Sequence, residues 1–218
     1  MLELLLPERC AVCRRPGFAL CAPCRDALVR LHPPVCERCG SPGPWPVRRC
    51  AECSGRRLAF ASACSAIVYD ARARAFVREW KEHGRRRLAE QAGALVSEVL
   101  LPADVDALTF VPGDPERAWR RGDVAPKALA FVLGLTWGLP TLELLRRPRA
   151  LPRQRGLTLL ERRRNLRGTV VAVAAAPRRV GLVDDVYTSG ATADACAAAL
   201  KRAGAGRVEV VTLARAVR

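Results

Sequence analysis

The sequence predicts an α/β protein, a mostly parallel sheet flanked by helices, carried behind a small metal-stapled amino-terminal module. Two observations predict it. From residue 58 onward, apolar β-branched runs alternate with segments of helical period, and such alternation implies parallel strands covered by their crossover helices. Before that point, eight of the ten cysteines stand in four Cys-x-x-Cys pairs among prolines and glycines. A length of 218 residues suits one α/β domain with an appendage. The expected division is a double zinc-ribbon module over 1–57 and the α/β domain over 58–218.

The four pairs are Cys10/Cys13, Cys21/Cys24, Cys36/Cys39 and Cys50/Cys53. Two residues between thiols let one turn aim both sulfurs at a point while backbone amides support them, and two such knuckles complete a tetrahedral zinc site. Four knuckles therefore predict two zinc ions. Sequential grouping is simplest: Cys10, Cys13, Cys21 and Cys24 on one ion, Cys36, Cys39, Cys50 and Cys53 on the other. An interleaved grouping, first pair with third and second with fourth, stays open on spacing alone. Pro33, Pro34, Pro42, Gly43, Pro44 and Pro46 leave little apolar surface for an independent core. Metal binding is thus expected to supply folding free energy, with closed coordination and no catalytic role.

In the second part, "ACSAIVYD" reads as a strand. In "ARAFVREWKEHGRRRLAEQAGALVSEVL" the residues Phe76, Val77, Trp80, Leu88, Leu95 and Val99 recur at helical spacing, interrupted at Gly84. "VDALTFVP" is a strand closed by Pro112, and "PKALAFVLGLTWGL" is a helix with proline near its first turn. "PTLELLRR", "TVVAVAA" and "RVGLVDDV" read as strands, "ATADACAAALKRAG" as a helix stopped by Gly204, and "RVEVVTLARA" as the last strand.

Composition narrows the function classes. A formal charge of +16 favours nucleic acid, phosphate ligands or acidic partners. Aromatic residues make up only 5%, which gives poor support to a broad stacking platform for single strands. His32 and His83 are too scattered for a Ser/His/Asp arrangement, and no G-x-S-x-G, G-x-x-x-x-G-K-[ST] or G-x-G-x-x-G motif occurs. Cys64 and Cys196 are expected to be buried packing residues. The apolar run from 128 to 145 contains Pro140 and Glu143 and falls short of the roughly 20 residues that span a bilayer, so no membrane span is expected. "MLELLLPERC" has no basic leader. A cytoplasmic setting, reducing for the thiols, is the expectation.

The most informative stretch is "VGLVDDVYTSGAT", residues 180–192. Read as a strand over 180–184, a loop over 187–192 and then a helix, it sits where α/β folds bind ligands, beyond the carboxyl ends of the strands. Loop amides and the helix dipole favour an anion there. Thr188, Ser189 and Thr192 add hydroxyl donors, and Gly190 lets backbone approach the bound oxygens. Asp184 and Asp185 would repel a phosphate at close range unless neutral hydroxyls lie between. A ribose 5-phosphate supplies those hydroxyls, and Mg²⁺ bridges a pyrophosphate on C1 to them.

With those residues in view, "VGLVDDVYTSGAT" resembles the 5-phosphoribosyl-1-pyrophosphate (PRPP) signature of the type I phosphoribosyltransferases. Together with the cysteine module it resembles the ComF family, whose members join a zinc ribbon to a type I phosphoribosyltransferase-like domain and act in DNA uptake during natural transformation. "YDARARAFVREWKEHGRRRLAE" is similar to the family segment in which an aromatic-rich helix leads to a lysine, glycine and basic cluster. "LPRQRGLTLLERRRNLRGTV" is similar to its arginine-bearing loop, with Arg162, Asn165 and Gly168 in the R-x-x-N-x-x-G pattern. One segment departs from the family. In "VPGDPERAWRRGDVAPKALA" Arg121 and Gly122 match, but Asp123, Val124 and Ala125 replace an aromatic-amide portion, and Asp114 and Glu116 add negative charge where pyrophosphate is bound.

The resemblance implies PRPP binding with Mg²⁺ by Asp184, Asp185, Val186, Tyr187, Thr188, Ser189, Gly190, Ala191 and Thr192, with Asp184 and Asp185 as catalytic candidates. Arg153 and Arg155 are candidates for a loop closing over pyrophosphate. Arg85, Arg86, Arg87, Arg162, Arg163 and Arg164 are candidates for single-stranded DNA contact, and a DNA-uptake helicase is the implied partner. A phosphoribosyltransferase of nucleotide salvage or synthesis, transferring ribose 5-phosphate to an acceptor, is the alternative.

Overall fold

The computed structural model describes residues 8–82, 85, 87–100, 102, 104–113, 125–148 and 170–217. Its centre is a sheet of four strands, β1 (Ser62–Val68), β2 (Ala107–Phe110), β5 (Arg179–Tyr187) and β6 (Arg207–Arg215), in the order β1-β6-β5-β2 and parallel throughout. β5 and β6 lie in the middle. Their sequences, RVGLVDDVY and RVEVVTLAR, are nearly continuous in apolar β-branched residues because both faces of the sheet are covered.

The pleat sends alternate residues to two cores. Val183, Val211 and Leu213 face a core built with α2 (Ala71–Glu82), α3 (Arg87–Val99) and α4 (Ala125–Trp137). Phe76, Val77, Trp80, Leu88 and Leu95 are buried there, as their spacing predicts. Leu182, Val208 and Val210 face the opposite core, where α5 (Ala191–Arg202) contributes Ala193, Cys196, Ala197 and Leu200.

The cysteine module is built into this frame. Cys10, Cys21, Leu20 and Leu28, around the one-turn helix α1 (Ala22–Asp26), pack into the first core. Cys36, Cys39, Cys53, Leu58 and Phe60 pack into the second. Between them the chain runs along the outer edge of β1: Leu31 N–H donates to Ala66 O at 2.8 Å and Val68 N–H to Val29 O at 2.8 Å. That antiparallel bridge occupies backbone groups an open edge strand would leave exposed. Arg14 pairs with Glu79 of α2 at 2.5 Å, and Arg25 and Arg30 with Glu98 of α3 at 2.6 and 3.2 Å.

Three local expectations change. Of "PTLELLRR", only Thr141, bridged to Leu108, and the two-residue β3 (Leu145–Arg146) are extended and paired. Of "TVVAVAA", only β4 (Val171–Ala172) is, antiparallel to β3. Leu144 and Leu145 are both buried, which breaks the alternation a longer strand requires. Cys64 is exposed, not buried, because β1 is an edge strand whose amino-terminal half is uncovered on that side. Among the described residues no helix is long and apolar enough to cross a membrane.

Candidate functional site

The eight paired cysteines form two clusters. The sulfurs of Cys10, Cys13, Cys21 and Cys24 lie within 4.8 Å of one another, and so do those of Cys36, Cys39, Cys50 and Cys53. The grouping is sequential. Cys13 and Cys21 sulfurs are 3.7 Å apart, Cys36 and Cys53 3.7 Å, and Cys39 and Cys50 3.5 Å. A Zn–S bond of about 2.3 Å implies a tetrahedral edge of about 3.8 Å, so the donor set fits zinc. Burial pushes the Cys10 and Cys36 thiols up, but backbone N–H donors in the knuckles outweigh it and hold them near 6 and 7. Gly40 has φ +70°, and a Cβ there would sit 2.5 Å from Ala63 O. The knuckle glycine thus lets the second cluster close onto β1.

The acid pair stands inside β5, three residues before its end, because the strand continues through Tyr187. The helix then begins at Ala191. The loop expected over 187–192 is therefore only 188–190. Asp185 is buried and its Oδ2 is ion-paired by Lys81 from the last turn of α2. Its Oδ1 accepts from Val186 N–H at 2.7 Å. Asp184, half-buried on the other side of the pleat, accepts from Asp185 N–H at 2.9 Å.

Burial pushes the Asp184 carboxyl up to about 6, against the opposing pull of the Lys81 and Arg147 charges. The folded value lies above the unfolded one, so the native state binds more protons between them. This group's stabilising contribution is full below about pH 4 and is lost as pH rises through about 6. An ionised Asp184 is what a ribose hydroxyl or a cation needs. PRPP affinity, read by calorimetric titration at constant ionic strength, is therefore expected to weaken as pH falls through 6 and to level off above 7.

Gly190 is the N-cap of α5 in the left-handed conformation, φ 70°, with no side-chain cap bond to the helix. The first amides of α5 are thus left for another acceptor, the usual arrangement for an anion. Ser189 Oγ accepts weakly from Ala191 N–H at 3.4 Å, and Thr188 is exposed. A Cβ on Gly190 would lie 2.3 Å from Tyr187 Oη. Gly190→Ala is therefore expected to lower stability by about 1–2 kcal/mol from the left-handed backbone alone, read by denaturant unfolding, and to abolish phosphate binding at the loop.

The structure brings Lys81, Arg147 and Arg215 to this end of the sheet, and none had been assigned to the site from sequence. Lys81 carried a signal, as the lone lysine before Gly84 at the end of an amphipathic helix. Arg147 donates to Pro112 O at 2.8 Å, and nothing separated it from the arginines around it. Of the basic candidates, Arg85 faces Glu8 at 3.4 Å and Glu79 at 3.6 Å, while Arg87 faces Glu8 at 3.3 Å. Arg86, Arg153, Arg155, Arg162, Arg163 and Arg164 lie outside the described residues, as do Asp114, Glu116, Arg121 and Gly122.

Comparison with known proteins bears on the whole chain. The double zinc ribbon domain family matches residues 1–67. The DNA utilization protein YhgH of Salmonella typhimurium is 30% identical over 228 residues, covering 97% of this chain and 99% of that protein. Competence protein F of Haemophilus influenzae is 27% identical over 95% of this chain and 97% of its own length. Among solved structures, the glutamine PRPP amidotransferase from B. subtilis, complexed with ADP and GMP, matches 57% of this chain at 22% identity and a TM-score of 0.40. The chain spans 25% of that enzyme's length. Similarity to the first relative runs nearly the full length of both chains, and the chain belongs to the ComF family.

Proposed function

We propose that this protein binds PRPP with Mg²⁺ at residues 184–192 and handles incoming single-stranded DNA in the cytoplasm during DNA uptake, alongside a helicase of the uptake machinery. The observation that carries the ligand reading is the acid pair near the end of β5, separated by Val186 and Tyr187 from a three-residue turn into a helix N-terminus with no side-chain cap. Asp184 and Asp185 accept the ribose hydroxyls. The amides of 189–192 hold the 5′-phosphate, and Mg²⁺, held near Asp184 and Asp185, would offset the pyrophosphate charge. Arg153 and Arg155 are the cations proposed to close over the pyrophosphate.

The DNA reading rests on the relatives, named for DNA utilization and competence, and on the +16 charge. A described surface adds to it. Phe18 and Trp45 are 59% and 65% exposed, and in sequence the first follows Arg14 and Arg15 while the second precedes Arg48 and Arg49. An exposed ring among basic residues is what a single strand stacks on, at about 1–3 kcal/mol per base. Trp45→Ala is expected to weaken oligonucleotide binding about tenfold in fluorescence anisotropy. The wild-type affinity is expected to fall steeply with salt as counterions are released. Affinity unmoved by both changes would remove this surface from the proposal.

The transferase reading draws support from Lys81, a cation paired with Asp185 at the ribose end of the proposed site, since fixed charges near the reacting sugar are what phosphoribosyl transfer uses. Pyrophosphate release on adding candidate bases to protein, PRPP and Mg²⁺ separates the two. A binder gives none above the uncatalysed rate.

A further inference from the structure

Arg215, the last residue of β6, has a side chain with no exposed surface. Its Nη1 donates to Cys39 O at 2.5 Å, and its Nη2 lies 3.7 Å from Cys39 Sγ and 2.6 Å from Glu52 Oε2. Its other face lies over the Tyr187 ring, 4.6 Å from the centroid. Tyr187 is the register partner of Arg215, and its hydroxyl, buried without a hydrogen-bond partner, is packed against Gly190. One side chain thus touches a ligand of the second cysteine cluster and the residue that shapes the phosphate turn.

A buried guanidinium needs nearby negative charge, and Glu52 alone does not explain its position. A tetrathiolate zinc centre carries a formal charge of −2, and N–H groups aimed at a ligating sulfur both orient that ligand and neutralise part of its charge. With zinc bound, Arg215 is drawn to Cys39 and held flat over Tyr187. That fixes the ring against Gly190 and so the direction of the first amides of α5. Without zinc the four sulfurs are no longer held together beside the guanidinium, and that pull weakens.

We infer that Arg215 is a positioning residue through which zinc in the Cys36/Cys39/Cys50/Cys53 cluster sets the shape of the 188–190 turn, so that zinc there and an anionic ligand at the turn strengthen each other's binding. The Cys10/Cys13/Cys21/Cys24 cluster, packed in the other core, takes no part. The ligand half of this inference rests on the ribose-phosphate reading, while the zinc-to-turn half does not.

The test uses the full chain loaded with two zinc ions. Amide hydrogen exchange without ligand is expected to show faster exchange at 188–191 in zinc-loaded Arg215→Met than in wild type, with α3 unchanged. Stripping zinc from wild type is expected to raise the same amides. In a chelator chase, PRPP with Mg²⁺ is expected to slow release of one of the two ions about fivefold or more in wild type, since such coupling is reciprocal, and to slow neither in Arg215→Met. If Arg215→Met does not retain two ions, Tyr187→Leu leaves the cluster's own contacts in place and is expected to show the same faster exchange and lost protection.

Wild-type exchange at 188–191 in a zinc-loaded variant would overturn the inference, as would protection by PRPP that persists in it. Altered exchange combined with no PRPP binding to wild type would support the zinc-to-turn link and count against the ribose-phosphate reading alone.

Discussion

Cys53→Ser is expected to leave one zinc ion per chain and to lower the melting temperature more than any other single change considered. Cys53 has no exposed surface, and its sulfur is 3.7 Å from that of Cys36 and 4.0 Å from that of Cys50. A serine hydroxyl cannot replace a thiolate ligand. Structural zinc binding in small modules carries about 10–16 kcal/mol of apparent folding free energy, comparable with the roughly 5–15 kcal/mol that stabilises a whole domain. Damage would spread inward, because the same core contains Phe60, Val180, Leu182, Tyr187 and Leu200. Cys13→Ser is expected to be milder, since Cys13 is exposed. Metal analysis with thermal unfolding checks both. Two ions retained at an unchanged melting temperature would refute the account of the second cluster.

The second large effect is a split between stability and binding at the acid pair. At pH 7 the ionised Asp184 is held in a site that favours its neutral form. Asp184→Asn is therefore expected to stabilise the ligand-free protein, by on the order of 2 kcal/mol for a shift of this direction and size. Asp185→Asn is expected to act the opposite way, because it breaks the Lys81–Asp185 ion pair. Both are expected to weaken PRPP binding by about 10- to 100-fold each, the worth of hydrogen bonds to a charged group at about 1.5–3 kcal/mol. Opposite shifts in melting temperature with matching losses of affinity would mark a site kept at some cost to the fold. Parallel shifts would show the two carboxylates to be ordinary structural acids.

Much of the fold was legible where sequence signals are local. The apolar runs of β5 and β6, the helical period through Phe76 and Trp80, and the Cys-x-x-Cys spacing each report their own element. The segment proposed as the clamp was legible for the same reason, since strand, acid pair, turn and helix are contiguous. Its boundaries were not. The motif reads as a strand over 180–184, whereas Arg215 in the neighbouring strand pairs with Tyr187 and carries β5 three residues further. The partners of distant residues were not legible. Lys81 reaches Asp185 across more than a hundred residues, and Arg215 reaches Cys39 across 176. Neither side chain has a local pattern that says which charge it will meet. The sharing of the two cysteine clusters between opposite cores was hidden too, because proline-rich ribbons look self-contained until the sheet that receives them is known.

We place a ribose-phosphate clamp at the end of β5 and the start of α5. Calorimetric titration of the zinc-loaded full chain with PRPP and Mg²⁺, repeated on the Asp184→Asn/Asp185→Asn double variant, tests it most directly. One site per chain is expected in wild type and none measurable in the double variant at the same concentrations. Equal binding by the two proteins would contradict it.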